Sequence, residues 1–412
     1  MTSAEPRASV LVVGAGPSGL VAAIRLAELG VAVRIVDSAT APAPESRATL
    51  MHAATVEILA ALGLETRLLE EGSRISAISL ADSGRLLARM PFAGLDSRHP
   101  FALSIPQSAT EALLIARLAE LGHRVERGVR VDGVTRRGRL LATSGTSGDG
   151  DTPWAAASTY VIGADGRNSI VRRRAGIAFD GAAYDDDFVL ADVELAPPPT
   201  PSDEARITLS PQGVTVLGLL PSGRYRIVAT APRGGETPRT PDRAYLDELL
   251  RSRGIAARTA GTPAWSSRFR IGHHIARRFR SGNILLCGDA AHVHSPAAGQ
   301  GMNTGIADAY DLAGCIAADI AGDVSALDGY ERRRTRAARQ VVALTDRLTR
   351  VALVRGQPAR GIRNTAIRVL TRVPPLRRGL IRSVSGLDRS PLPPSAHRPA
   401  QGPGPHVKDA AE

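Results

Sequence analysis

The most restrictive feature of the chain is a short run near its start, Gly14-Ala15-Gly16-Pro17-Ser18-Gly19. It follows a β-branched stretch, Val10–Val13, and precedes Leu20–Leu29, whose apolar residues keep helical spacing. Val33–Val36 then reads as a second strand that ends in Asp37. This is a β-α-β unit, for which a right-handed crossover is expected. Each glycine has a separate physical task. Gly14 permits a tight turn, Gly16 lets the backbone approach a pyrophosphate, and Gly19 lets the helix pack close to the sheet. The free N–H groups and dipole of the helix N-terminus stabilise anionic phosphates. Asp37, 23 residues after Gly14, can accept hydrogen bonds from ribose hydroxyls. The arrangement points to a bound dinucleotide. The plainer alternative is a structural glycine turn, and the loop alone does not separate FAD from NAD(P).

The rest of the chain supplies more elements. Helices are expected at Ala54–Leu62 and Ala109–Leu121, closed by Gly63 and Gly122 as C-cap glycines. Arg124–Thr135, Arg139–Thr143 and Tyr160–Gly163 read as strands, and Ser144–Pro153 as a Gly/Ser/Asp-rich loop. From about Asp187 to Arg270 the pattern shifts to strand candidates at Phe188–Val193, Arg206–Leu209, Gly213–Leu220 and Tyr225–Thr230. They read as an antiparallel sheet inserted into an α/β domain. Asn283–Cys287 returns to a buried strand before a long helical region in which Val341, Leu344, Leu348, Val351 and Val354 keep helical spacing. The tail from Pro391, rich in proline, glycine and charge, is expected to be disordered.

Composition excludes several classes. Aromatics make up only 3% of the residues, which does not suit a base-stacking nucleic-acid platform. No run approaches the roughly 20 apolar residues that span a bilayer. No secretory leader is evident, so a cytoplasmic location is expected. Cys287 and Cys315 have no metal-type spacing and read as reduced thiols. The formal charge of +12 comes from arginine, with Lys408 the only lysine. The excess lies late in the chain, and no nucleic-acid module accompanies it. The amphipathic stretch Gln340–Arg382 can be read as lying on an anionic membrane. The sequence favours the plainer reading, in which these helices pack on the α/β domain with their arginines solvated.

Three further blocks carry the most information. One is Tyr160–Arg172, containing Asp165-Gly166 and Ser169. Another is Asn283–His292, containing Gly288-Asp289 and continuing through Pro296 into Gly299-Gln300-Gly301-Met302-Asn303. The third is Ser46-Arg47 with His52 and Thr55–Leu59, followed by Ile105-Pro106-Gln107 and Glu111. With the glycine loop, in this order and spacing, they resemble the single-component flavin hydroxylases of the para-hydroxybenzoate hydroxylase family, the group A monooxygenases. The likeness runs from about Val10 to Leu348.

The resemblance implies non-covalent FAD, reduction by NAD(P)H, and transfer of one oxygen from O₂ to an aromatic or polyketide-like small molecule through a flavin hydroperoxide. It places Gly299, Gly301, Met302 and Asn303 against the flavin ring and Pro296 near its reactive edge. It gives Asp165 a part in handling both FAD and NAD(P)H, and cofactor contacts to Arg47 and Gln107. Gly288 and Asp289 follow a strand, so the Asp289 carboxylate should stand at the carboxyl edge of the sheet, within reach of a ribityl hydroxyl. Gly14, Gly16, Pro17, Ser18, Gly19 and Asp37 complete the expected cofactor set. No metal is expected, since no carboxylate or cysteine completes a site around His292 and His294. Catalytic side chains are not named by the sequence, because the cofactor carries the chemistry.

The expected architecture is α/β: a Rossmann-like FAD-binding domain with an inserted antiparallel β-sheet substrate domain and C-terminal helices. Residues 1–75, 105–180 and 276–330 would form the FAD-binding domain, 76–104 and 181–275 the substrate domain, 331–390 the helical region and 391–412 the tail. Each site residue also has a plainer reading. Asp165 and Asp289 are common turn formers, Arg47 can be a surface charge, and Gln107 can simply start a helix. Three departures from the family stand out. Ser295 replaces a usual proline, His273-His274 stands where arginine is common, and the chain ends near residue 412 without a thioredoxin-like domain. Rival readings are an unsaturated-lipid reductase, a halogenase and a non-catalytic FAD-binding partner. Trp154 and Trp265 are the only tryptophans and do not form a Trp-x-Trp-x-Ile segment, which counts against the halogenase.

Overall fold

The computed structural model describes residues 10–42, 48–148, 150, 152–232, 237–295, 299–352, 354 and 356–393. Arg47 and Pro296, and the tail beyond residue 393, lie outside them. Val10–Val13 sits at the centre of a sheet whose order is Arg280–Ser281, Ile284–Leu286, Tyr160–Gly163, Val10–Val13, Val33–Asp37 and Val125–Arg127. All neighbours run parallel except the short edge strand Arg280–Ser281. The central strands are buried along their whole length, and so read as unbroken apolar runs instead of alternating ones. From Val10–Val13 the chain goes to one side of the sheet, and the later strands Tyr160–Gly163 and Ile284–Leu286 add on the other. A crevice therefore opens at the carboxyl ends of Val10–Val13 and Tyr160–Gly163, where such sheets bind ligands.

The helices are α1 (Pro17–Glu28), α2 (Ala53–Ala61), α3 (Glu65–Glu71), α4 (Gln107–Glu120), α5 (Ile170–Arg174), α6 (Arg243–Ser252), α7 (Gln300–Ile320), α8 (Ala326–Ala352), α9 (Gln357–Arg372) and α10 (Pro374–Val384). Leu20 and Ile24 of α1, Ile306 and Leu312 of α7, and the sheet residues Val12, Ile162 and Leu285 share one core. α8 packs along α7.

A second sheet has the order His292–Val293, Trp265–Ala276, Phe179–Val193, Tyr225–Thr230, Gly213–Leu219, Glu204–Ser210, Ala77–Asp82 and Arg85–Pro91. Its pairs are antiparallel except Glu204–Ser210 with Ala77–Asp82. Leu246, Leu249 and Leu250 of α6 cover Val189, Leu217 and Ile227 on it. The guanidinium of Arg253, just past α6, is fully buried and donates to backbone carbonyls of Val214 and Thr230.

Three features differ from the sequence reading. Trp265–Ala276 is one long strand paired along Phe179–Asp192. Its polar run Ser266–Arg270 hides that role, because the ladder partner, not apolar alternation, holds it in place. Ser144–Pro153 is not mainly loop: Leu140–Ser147 and Thr152–Ser158 pair as a hairpin. Its small and polar residues lie largely on exposed faces, so no apolar period marks it. Finally, the helices after α8 pack chiefly on the second sheet, and only the end of α10 reaches the parallel-sheet domain, where the Val384 carbonyl accepts from Gln300. Ile381 and Val384 of α10 join Ile75, Ile78, Met90 and Phe92 beside the second sheet. α9 is anchored there by Asp82, which accepts from Arg360 (2.6 Å), Arg363 (3.0 Å) and Asn364 (2.5 Å). Asp82 is held below the usual carboxylate range: the Asn364, Arg360 and Ser83 hydrogen bonds outweigh the opposing effect of burial.

The contact between α1 and the first strand is closed. A β-carbon on Gly19 would stand 1.9 Å from the Gly14 carbonyl oxygen. Gly19→Ala is expected to lower stability by about 1–3 kcal/mol, seen as a lower urea midpoint at unchanged slope. An unchanged midpoint would mean that the helix has room to move off the strand.

Candidate cofactor site

The site is built from backbones brought unusually close. Gly14 adopts φ +104°, and a β-carbon there would stand 2.3 Å from the Ala164 carbonyl oxygen. The loops that follow Val10–Val13 and Tyr160–Gly163 can therefore meet only across a glycine. Ser18 wedges on the other side: β-carbons on Gly288 and Gly305 would lie 2.5 and 2.4 Å from its Oγ. Ser18 thus acts as a spacer between α1, the Gly288 turn and α7. Gly16 is the exception. It is the N-cap of α1, no side chain caps that helix, and no atom lies within 4 Å of where its β-carbon would be. With Pro17 at the first helical turn, the backbone here is closed behind and open in front. That is a cradle for a group that binds main-chain N–H donors, as a phosphate does.

Asp37 stands beside this cradle. Its Oδ2 accepts the Ala15 N–H at 2.6 Å and its Oδ1 the Ala39 N–H at 2.8 Å, with Arg127 3.6 Å away. The carboxylate therefore shapes the loop and keeps lone pairs for a ligand hydroxyl. Gln107, at the start of α4, donates to Glu111 at 2.8 Å. Burial is the main influence on Glu111 and raises its carboxyl above the usual range.

Asp165 shows the turn-forming role foreseen as its plainer reading. Its Oδ2 accepts from the backbone N–H groups of Ile170 (2.7 Å) and Val171 (3.2 Å), while Ser169 caps α5 through Arg172 N. Its Oδ1 is buried without a hydrogen-bond partner, and burial raises the carboxyl. Arg172, not singled out as a site residue from the sequence, ties this loop to the Gly288 turn. It donates to the Ala290 carbonyl at 2.9 Å and to the Arg167 carbonyl at 2.8 Å. It also lies 3.8 Å over the Phe179 ring, on which His274 stacks at 5.2 Å. His274, one of the two histidines that depart from the family, thus belongs to a contact between the two sheets. Asp289 is exposed at the Gly288–Ala290 turn.

α7 begins at Gly299, in the left-handed region at φ +61° and with no side-chain cap. Asn303 fixes this end: its Nδ2 donates to Leu50 O (2.8 Å) and Gly299 O (2.7 Å), and its Oδ1 accepts the His52 N–H at 2.8 Å. Gln300 donates to the Val384 carbonyl at 2.8 Å. Met302 is half-buried against the core, and nothing lies within 4 Å of a β-carbon on Gly301.

Behind the turn lies a buried charge network that sequence reasoning missed. Asp308 of α7 takes His292 Nε2 at 2.5 Å and Arg334 Nε of α8 at 2.6 Å, and accepts the Gly288 N–H at 3.3 Å. Although burial opposes it, the carboxyl is held below its usual range by the charges of His292 and Arg334. The sequence reading found no carboxylate for His292; folding supplies one from 16 residues later. The network joins two helices and a turn, so no local sequence pattern marks it. Among the described residues, no group of three His, Cys, Asp or Glu is placed to hold a metal ion.

The neighbouring His294 ring stacks on His292 at 6.1 Å, and burial pushes its pKa down to about 4. Stability should fall as pH drops from about 6.5 to about 4, where the unfolded chain takes a proton and the fold does not. His294→Gln should flatten that slope in urea titrations at successive pH values. An equal slope in both proteins would refute it. Asp308→Asn should lower stability by about 3–5 kcal/mol, because Arg334 is left buried and unpaired. Thermal unfolding measures this, and a loss below 1 kcal/mol would show that the network relaxes.

Taken together, the open cradle at Gly16, the exposed Asp289 and the uncapped start of α7 form one lip at the carboxyl edge of the parallel sheet. The arrangement suits a dinucleotide with its diphosphate over α1. The family model described as FAD binding domain matches residues 7–345 of the chain. An uncharacterised aromatic-compound monooxygenase of Bacillus subtilis (strain 168) is 36% identical over 351 residues, covering 83% of this chain and 68% of that protein. 6-Methylpretetramide 4-monooxygenase of Streptomyces rimosus is 34% identical over 383 residues, covering 90% of this chain and 66% of that protein. The solved structure of an anhydrotetracycline hydroxylase from Streptomyces rimosus superposes with a TM-score of 0.74 at 31% identity, covering 93% of this chain and 76% of that one. The chain thus spans about two thirds of the length of the curated relatives it matches.

Proposed function

Because the chain belongs to the FAD-binding family of group A, aromatic-hydroxylase-like monooxygenases, we propose that it hydroxylates a phenolic or polyketide-like aromatic molecule. FAD, when bound, accepts electrons from NAD(P)H and activates O₂ so that one oxygen passes to the substrate. The protein's part is to bind, orient and exclude water. In this reading Gly14, Gly16 and the start of α1 hold the pyrophosphate, and Asp37 holds the adenosine ribose. Asp289 accepts from the ribityl chain. Gly299, Gly301 and Asn303 set the N-terminus of α7 toward the ring, where its dipole favours the negative charge of the reduced flavin. Arg47, Gln107 and Pro296 contribute the remaining contacts, and Asp165 and Arg172 keep the lip in register.

The observation that carries the reading is the cradle itself. Gly14, Gly19, Gly288 and Gly305 are closed against neighbouring atoms, whereas Gly16 faces open space. Residues 76–104 and 181–275 are proposed as the substrate domain, with the substrate between its sheet and the flavin edge.

Purified protein should show a flavin absorbance spectrum and, under air, oxidise NAD(P)H faster when a suitable phenol or polycyclic aromatic is added. A colourless protein that does not take up FAD would overturn the reading. Flavin without NAD(P)H oxidation across a broad panel would favour a non-catalytic flavin-binding partner. Asp289→Ala should weaken FAD about tenfold, the loss of one charge-assisted hydrogen bond. Unchanged affinity by flavin-fluorescence titration would remove Asp289 from the site.

A further inference from the structure

We infer that the outer face of α9, with the start of α10, docks this protein on an anionic lipid surface. α9 is amphipathic in the inverted sense. The face turned to the body of the protein is mostly polar, with Ile367 beside it: Arg360, Arg363 and Asn364 all bind Asp82, and Arg363 is buried. Its other large apolar residues face out. Ile362, Val369, Leu370 and Val373 are 73%, 55%, 49% and 37% exposed, and Leu376 of α10 is 51% exposed. Ile362, Val369 and Val373 are seven and four positions apart, so with Ala366 between them they form one stripe along the helix. A stripe of large apolar side chains turned to water calls for a covering surface.

Charge selects which surface. Between Asp346 and Asp388 the chain carries ten arginines and no acidic residue. Arg360 and Arg363 are occupied by Asp82 and Arg382 by Asp388. Arg368, Arg372 and Arg378 are exposed, with no acidic partner among the described residues. Arg368 and Arg372 follow one edge of the stripe, so their stems can lie along the apolar surface while the guanidinium groups reach phosphate. An apolar stripe bordered by arginine is the pattern of a helix lying in a membrane interface. Each arginine brought near an anionic surface adds about fivefold to the partition coefficient. A second copy of the chain fits less well, because a two-fold contact would set this acid-free, arginine-rich face against itself. Nothing here requires insertion: no described helix is long and apolar enough to cross a membrane. The Asp82 anchor holds α9 in place beforehand, so docking needs no folding step.

The experiment is flotation of the purified full-length protein with phosphatidylcholine vesicles, with and without phosphatidylglycerol. The protein should float only with the phosphatidylglycerol vesicles and be released by added salt. The double substitution Ile362→Asp, Leu370→Asp should reduce binding about tenfold or more, and Arg368→Gln, Arg372→Gln should weaken it and reduce its salt dependence. Both pairs are exposed, so circular dichroism melting should match the parent. Failure of the parent to float with either vesicle would overturn the inference, as would unchanged binding by the aspartate variant. A parent that self-associates on sizing, is made monomeric by the aspartate pair and ignores vesicles would assign the face to a second copy instead.

Discussion

The structure depends on backbones approaching closer than a single β-carbon would allow. Gly14 lies over the Ala164 carbonyl, Gly19 over the Gly14 carbonyl, and Gly288 and Gly305 both rest against Ser18. These contacts draw three loops and two helix ends together at the carboxyl edge of the parallel sheet. Side chains do not create this lip; they brace it. Asp37 holds the first loop, Arg172 links the second to the third, and Asp308 supports the third from below. With the backbone fixed in this way, Gly16 at the start of α1 and Gly301 at the start of α7 are left facing open space, and the site is defined as much by what is closed as by what is open.

The bracing relies on buried charge, which is costly unless every partner is present. Asp308 satisfies this by spreading its two oxygens over a histidine, an arginine and a backbone N–H. Arg253 and Arg172 satisfy it through carbonyl groups instead of acids. Arginine suits such places because its planar fork serves several acceptors at once and remains charged. Part of the chain's cationic excess is therefore internal structure, and part, on α9 and α10, is displayed outward.

Much of this was legible in the sequence, for a definite reason. Glycine spacing, a strand before it and an acid after it are local, and local order survives in a linear reading. The parallel strands were visible because burial on both faces makes them plain apolar runs. What escaped was long-range. Trp265–Ala276 is a strand because of its partner, Asp308 matters because of His292 and Arg334, and α10 docks on the second sheet through Ile381 and Val384. Asp165 was legible in both its readings, and the fold displays the turn-forming one. Arg47 and Pro296 fall outside the described residues, so their expected contacts stand as proposals.

The lip joins residues 14–19, 164–172 and 288–308, three segments that are remote in sequence. Ser18 has nothing to wedge against without Gly288 and Gly305, so the amino-terminal β-α-β unit cannot close its own cradle. A complete cradle therefore requires the long loops between these segments to be closed, at an entropic cost that grows slowly with their length. A bound dinucleotide stabilises only the finished arrangement. The cofactor would act as a latch on a chain whose beginning waits for its end.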